Sequence, residues 1–410
     1  MMWTKSGQMR SEEMNQDSKP HGTELNNLPA RDPGGRTWLT KDMAALGKNV
    51  AGVKRLIGSQ VKLVAMVKGR AYGLGDAPGI AKVALKHGAD FLGVELMEEA
   101  VELRRAGLRA PILMVGPVGP NDAKTIVELG IEVTVRDHRT LQTIVGLSSS
   151  LERIATLQLE YETGLNRFGN TKLEVLSLAR AINNSKWVEL GGVWSHFISF
   201  ESGDTQQSRS QYRAYSSLIE DLQRLGISPG RLHMCNSGAI LRYQDLHLDL
   251  VRCGKLIYGI VPAPDLIDVL TLEPVISWKT RIHWIRCVKQ GDGVSYQSTW
   301  IAQKDTSIGV ANVGFGDGYS SRLSSQSSVL IHGQYVPIVG KINMRAIMFD
   351  LSSVPQASIG DEVVMIGEQN GKAITINDIA MRANSMPAEF LLGIGTRVRR
   401  VTINQDATPE

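Results

Sequence analysis

A lone lysine closes the apolar run Val64-Ala65-Met66-Val67-Lys68, and Gly69-Arg70-Ala71-Tyr72-Gly73-Leu74-Gly75 follows it. Burying an ammonium at the end of a core strand is costly unless it is paired or neutralised. An ε-amine condensed with an aldehyde as a Schiff base escapes that cost and becomes a chemical handle. The plainer alternative is a strand-end lysine reaching solvent, and for Lys68 by itself that alternative is the commoner one. What decides between them is whether other polar residues could share a site with it.

Such residues recur where apolar runs end. Glu160 and Arg167 flank the end of the run near 154–159, and His196 ends the run near 190–196. Asn236 and Ser237 follow 231–235, and Arg252 with Gly254 closes 248–252. Each has a dull reading: a hydrogen-bonded core histidine for His196, a salt-bridge partner for Arg252, a helix N-cap for Asn236-Ser237. In a closed barrel, however, chemistry sits where strands end, and the loops after the seventh and eighth strands commonly hold a phosphate. A lysine on the first strand facing that cradle is the arrangement a pyridoxal 5'-phosphate site needs.

The elements that must position these residues are legible as a pattern. From residue 44 to about 273, short apolar runs near 62–67, 91–94, 112–115, 131–135, 154–159, 190–196, 231–235 and 248–252 alternate with amphipathic segments. Among these segments, Asp76–His87, Met97–Ala106, Lys172–Asn183 and Asp204–Leu225 have helical spacing. Eight such alternations predict a (β/α)8 TIM-type barrel over residues 36–273. No G-x-G-x-x-G follows the first run, which argues against a dinucleotide fold. After residue 274 the runs Val275–Val288, Ser307–Val313, Val329–Ile338, Ala346–Leu351 and Glu362–Gly367 alternate with Gly, Asp and Pro turns, predicting a mostly β domain over 274–405. The stretch Thr37–Thr40 is a candidate to pair with that domain. Residues 1–35 read as a flexible polar tail without a hydrophobic signal segment.

Composition narrows the function classes. The 410 residues carry 45 basic and 41 acidic side chains, net +4, with no long basic block, which argues against nucleic acid as a partner. Three cysteines without metal-type spacing predict a reducing compartment and no metal site. No run reaches the roughly 18 apolar residues of a membrane span, so a soluble cytoplasmic protein is expected.

In order along the chain, further segments accompany the lysine: Thr163-Gly164-Leu165-Asn166-Arg167-Phe168-Gly169, Ser195-His196-Phe197, Asn236-Ser237, Arg252-Cys253-Gly254 with Tyr258-Gly259, Val294-Ser295-Tyr296, Gly314-Phe315-Gly316-Asp317-Gly318-Tyr319, Val339-Gly340 with Met344, and Ile359-Gly360-Asp361-Glu362-Val363. With these, the chain after residue 36 resembles the alanine racemase family of fold-type III pyridoxal-phosphate enzymes. The resemblance implies that Lys68 carries the cofactor and acts as one base. The opposing base would be Tyr296, from the second subunit of a homodimer with shared sites. Arg167 would bind the carboxylate of a free amino acid or orient the cofactor's phenolic oxygen, with Met344 and Phe315 also at the substrate. His196 would pack over the pyridine ring and Arg252 bond its nitrogen. Tyr72, Asn236, Ser237, Gly254 and Tyr258 would hold the cofactor, chiefly its phosphate.

Four positions depart from the family's usual pattern. Glu160 stands where a lysine, sometimes carbamylated, usually orients the arginine, and would supply the same negative charge to Arg167. Ala388 replaces a phosphate-contacting tyrosine, Phe315 replaces a tyrosine, and Arg345 replaces an aspartate. Glu160, Arg345 and Ala388 are therefore specificity candidates, and a broad-specificity racemase is the alternative reading. A decarboxylase of related architecture fits less well, because no Gly-Gly-Gly run exists and Cys287 lacks an acidic neighbour. A single-barrel, non-catalytic binder would lack the β domain, and a decayed racemase is the remaining alternative.

Overall fold

A computed structural model describes residues 36–199 and 205–404; the tail at 1–35 and Asp204 lie outside the described residues. The first strand, β1 (Thr37–Asp42), leads into the helix Met43–Ile57, whose N-terminus is capped by Asp42. Eight short strands follow: β2 (Lys62–Met66), β3 (Phe91–Val94), β4 (Ile112–Met114), β5 (Ile131–Thr134), β6 (Ala155–Glu160), β7 (Val188–Trp194), β8 (Arg231–His233) and β9 (Leu250–Cys253). They form one sheet in the order β8-β7-β6-β5-β4-β3-β2-β9, with every paired neighbour parallel. Its two ends approach through Asp249 N–H to Leu232 O (3.1 Å) and Arg252 N–H to Cys235 O (3.0 Å), so the barrel is nearly closed. Runs such as Phe91–Val94 and Ile112–Met114 are buried throughout, as strands covered on both faces must be. The expected helices appear as Ala77–Lys86, Met97–Arg105, Lys172–Asn183 and Thr205–Arg224.

The later part is mostly β. Its strands are β10 (Ile276–Arg281), β11 (Trp284–Val288), β12 (Gly293–Val294), β13 (Trp300–Ile301), β14 (Thr306–Ala311), β15 (Ser328–Ile331), β16 (Gln334–Pro337), β17 (Ile347–Asp350), β18 (Glu362–Gln369), β19 (Lys372–Ile374) and β20 (Arg399–Ile403). One sheet runs β16-β15-β18-β10-β1-β20, with β19 on β18; a second runs β11-β14-β17. Thus β1 lies between β10, antiparallel, and β20, parallel. Two expected single runs are each divided. Val275–Val288 breaks at Ile282-His283, where the chain moves from one sheet to the other. Val329–Ile338 is a hairpin whose His332 and Gly333 both have positive φ (51° and 74°), as a two-residue I′ turn requires. The helices Ile376–Arg382 and Pro387–Leu392 were not anticipated.

Candidate active site

A cavity opens at the C-terminal end of the barrel strands, with Met66, Lys68, Tyr72, Val115, Arg167, His196, Asn236, Ser237, Arg252 and Gly254 in its lining. Lys68 leaves β2 after one intervening residue, and its Nζ pairs with Glu95 Oε2 (2.8 Å) at the end of β3. Glu99 supports the same corner by accepting from the backbone N–H of Gly69 (2.6 Å) and Glu95 (3.0 Å). The chain then turns left-handed. Gly69, Arg70, Ala71, Tyr72 and Gly73 have φ of 62°, 53°, 53°, 55° and 84°, closed by Ala71 N–H to Val67 O and Gly73 N–H to Gly69 O, both 2.9 Å. Such a conformation costs about 1–2 kcal/mol for each residue bearing a Cβ. It returns Tyr72 to the cavity that Lys68 lines.

On β9, the parallel neighbour of β2, Arg252 is buried: its guanidinium lies over the Trp194 ring, 4.7 Å from the centroid, and its terminal nitrogens are spent on polar partners. Its Nη1 donates to His233 Nδ1 (2.6 Å) and His233 O (3.4 Å). Its Nη2 donates to Ser195 O (2.7 Å), His196 Nδ1 (3.1 Å) and Met234 O (3.2 Å). These bonds all run through the terminal nitrogens, so Nε is the donor able to serve a ligand in the cavity. Burial lowers its pKa to about 10, which leaves it charged at neutrality. With Nδ1 accepting, His233 carries its proton on Nε2 and donates to Gln158 Oε1 (3.3 Å), whose amide donates to Glu132 (3.0 Å). A polar column therefore crosses a barrel interior otherwise packed with apolar side chains. Burial and the positive charges around them hold His196 and His233 well below the ordinary histidine range.

Ser237 Oγ accepts the Gly254 N–H (2.9 Å), and Asn236 caps the helix Ser237–Arg242 while its Nδ2 lies 3.1 Å from His196 Nε2. A Cβ on Gly254 would overlap the Tyr72 hydroxyl, so this glycine supplies room rather than a donor. Burial raises the Tyr72 phenol, which stays a neutral hydrogen-bond donor. Tyr258 departs from the phosphate-holding expectation. It is buried behind Tyr72 (ring centroids 4.8 Å apart), donates to Met66 O (3.1 Å) and does not line the cavity.

Glu160, at the end of β6, is 3% exposed. Its nearest cation is Arg136 (2.6 Å), with Arg167 at 4.0 Å, so its negative charge reaches Arg167 but is shared with a second arginine. Arg136, Glu95 and His233 are site-supporting residues that sequence reasoning missed. Arg136 and Glu95 do stand directly after apolar runs, and that signal could have found them. Tyr296, Phe315, Met344 and Arg345 do not join the cavity of their own chain; all four are exposed, Tyr296 at 69%. Ser295, Gln297 and Ser298 around Tyr296 all have positive φ (68°, 63° and 46°), and Ser295 Oγ is fixed to Lys341 O (2.6 Å). Ala388 lies on the helix Pro387–Leu392, which packs on the left-handed turn and not on the cavity.

The donor set suits a phosphorylated aldehyde: an amine, a buried guanidinium, neutral hydroxyls and a glycine-made recess. Residues 42–262 match the model of the alanine racemase N-terminal domain, and 275–402 that of the alanine racemase C-terminal domain. The chain is similar to an alanine racemase of Halothermothrix orenii, 35% identical over 364 residues, covering 89% of this chain and 96% of that protein. An alanine racemase 2 of Caldanaerobacter subterraneus is 34% identical over 368 residues, covering 90% and 95%. Among solved structures, the alanine racemase of Streptomyces coelicolor superposes with a TM-score of 0.85 at 29% identity, covering 90% of this chain and 98% of that one. That of Bacillus anthracis, solved with bound L-Ala-P, gives 0.81 at 31%, covering 90% and 95%.

Proposed function

This chain belongs to the alanine racemase family, and from that premise we propose that it interconverts L- and D-alanine as a pyridoxal-phosphate-dependent cytoplasmic homodimer. The observation that carries the site assignment is Lys68 at the open end of the barrel, sharing one cavity with Arg252, Ser237 and Tyr72. When bound there, pyridoxal phosphate supplies the electron withdrawal that acidifies the Cα–H of the amino acid. Lys68 tethers it, and Nζ moves a proton on one face of Cα. Inverting a stereocentre needs a proton donor on the opposite face, which a single base does not reach. The partner subunit's Tyr296 would fill that place: within its own chain the phenol is exposed on a strained loop and does not line the cavity.

Arg167 would bind the substrate carboxylate, and His196, held neutral, would pack against the cofactor ring. Arg252 would hold the pyridine nitrogen through Nε, the donor its own chain leaves unspent; unable to give up its proton near neutrality, it would leave that nitrogen unprotonated and disfavour transamination. Ser237 and Tyr72 hydroxyls donate to the phosphate. Tyr258 acts behind Tyr72, and Met344, Phe315 and Arg345 face the partner's cavity. The test is incubation with each single L-amino acid, resolved on a chiral column. D-alanine forming fastest supports the reading. Conversion of many amino acids with alanine minor favours the broad-specificity alternative, and no conversion by cofactor-loaded protein contradicts racemase activity.

A further inference from the structure

Arg136 follows β5 by two residues, and the structure spends its whole guanidinium on the protein. Nε donates to Phe168 O (3.0 Å), Nη1 to Gly116 O (3.1 Å) and Thr134 O (3.2 Å), and Nη2 to Val115 O (3.0 Å) and Glu160 Oε2 (2.6 Å). Five N–H groups meet five acceptors, so this arginine has none left for a ligand. Those acceptors belong to the loop after β4, to the last residues of β5 and β6, and to Phe168, the neighbour of Arg167. The guanidiniums of Arg136 and Arg167 both lie over the Phe168 ring, at 5.5 and 5.8 Å.

The charge count gives the arrangement its consequence. Two guanidiniums share one buried carboxylate, Glu160, which leaves the trio at +1. Arg136 holds the carboxylate at hydrogen-bond distance, while Arg167 stays 4.0 Å away and lines the cavity. An unpaired buried carboxylate is strongly destabilising and would seek the nearest cation. We propose that Arg136 is a positioning residue: by neutralising Glu160 and pinning Phe168, it keeps Arg167 and its positive charge available to the carboxylate of an incoming amino acid. This rests on the reading of Arg167 as the carboxylate binder.

In Arg136→Gln, Glu160 loses its neutralising partner and draws Arg167 out of the cavity. KM for L- and D-alanine should rise about tenfold alike, with kcat within about threefold of the parent, the pattern of lost uniform binding. Calorimetric binding of propionate, a carboxylate without the amine, to the cofactor-loaded dimer should weaken by about the same factor. Arg136→Lys keeps the neutralising charge and should stay within about threefold. Arg136→Gln/Glu160→Gln removes the competing carboxylate and should bind propionate more tightly than Arg136→Gln alone, a non-additivity independent sites do not show. Parent-like propionate binding by folded, cofactor-loaded Arg136→Gln, or purely additive losses in the double variant, would overturn the proposal. If Arg136→Gln does not fold, parent-like binding by Arg136→Lys and the double variant supports it, and tenfold losses in both overturn it. Should the parent racemise nothing and bind no propionate, the failure lies with the active-site reading instead.

Discussion

Each residue of the site has a role set by which of its hydrogen-bonding groups remain unspent. Arg252 has given both terminal nitrogens to the protein, and Tyr258 has given its hydroxyl to Met66 O, so two residues of similar burial have different uses. Gly254 is needed for the volume it lacks. Gly254→Ala should push the Tyr72 hydroxyl aside and weaken cofactor affinity about tenfold, measured by titrating the apoprotein with pyridoxal phosphate. Tyr258→Phe should leave that affinity within about twofold and cost about 1 kcal/mol of stability from the unsatisfied Met66 carbonyl. The opposite ranking would refute the division of roles. Lys68, His196 and Arg252 were readable from the sequence because strand ends mark barrel sites. The order of contact, Tyr72 in front of Tyr258, depends on packing that no spacing encodes.

At the scale of elements, the unusual feature is the left-handed turn joining Lys68 to Tyr72. It persists because neighbours over-determine it: Glu99 holds its first N–H, Ala71 is buried, and the helix Pro387–Leu392 packs on it. Gly73 combines a φ of 84° with a Cβ position only 2.6 Å from Leu391 O. Gly73→Ala should therefore cost more than about 2 kcal/mol, by the positive φ and the clash together, read from urea unfolding. A loss below about 0.5 kcal/mol would show that the turn and the helix are not rigidly docked. Gly69, Gly73 and Gly75 announce a turn in the sequence. Positive φ at Arg70, Ala71 and Tyr72 has no such marker, because these residue types favour other conformations. The strands of the barrel were legible because both faces are apolar; the helices Ile376–Arg382 and Pro387–Leu392 are short and were hidden among β-like runs.

Across the whole molecule, polar groups run from the floor of the barrel to its mouth through Glu132, Gln158, His233 and Arg252, a column invisible to a hydrophobic-pattern reading. It makes stability depend on pH. His233 is held neutral in the fold, whereas an unfolded histidine charges below about pH 6.5. The unfolded chain then binds more protons, so the contribution is full above that value and is lost as pH falls, at up to about 1.4 kcal/mol per pH unit for this residue. His233→Gln, which keeps an acceptor for Arg252, should flatten the fall in unfolding free energy between pH 6.5 and 5; an unchanged slope would exclude His233 as its source. The β-rich part matters at the same scale, since it holds Tyr296 exposed, away from the cavity of its own chain.

The most direct test of the account is covalent. Borohydride reduction of the yellow, cofactor-loaded protein, followed by peptide mass mapping, should find the reduced pyridoxyl phosphate on Lys68 Nζ, and Lys68→Ala should take up none. A reduced protein whose Lys68 peptide keeps its unmodified mass would contradict the assignment from which every other role here follows.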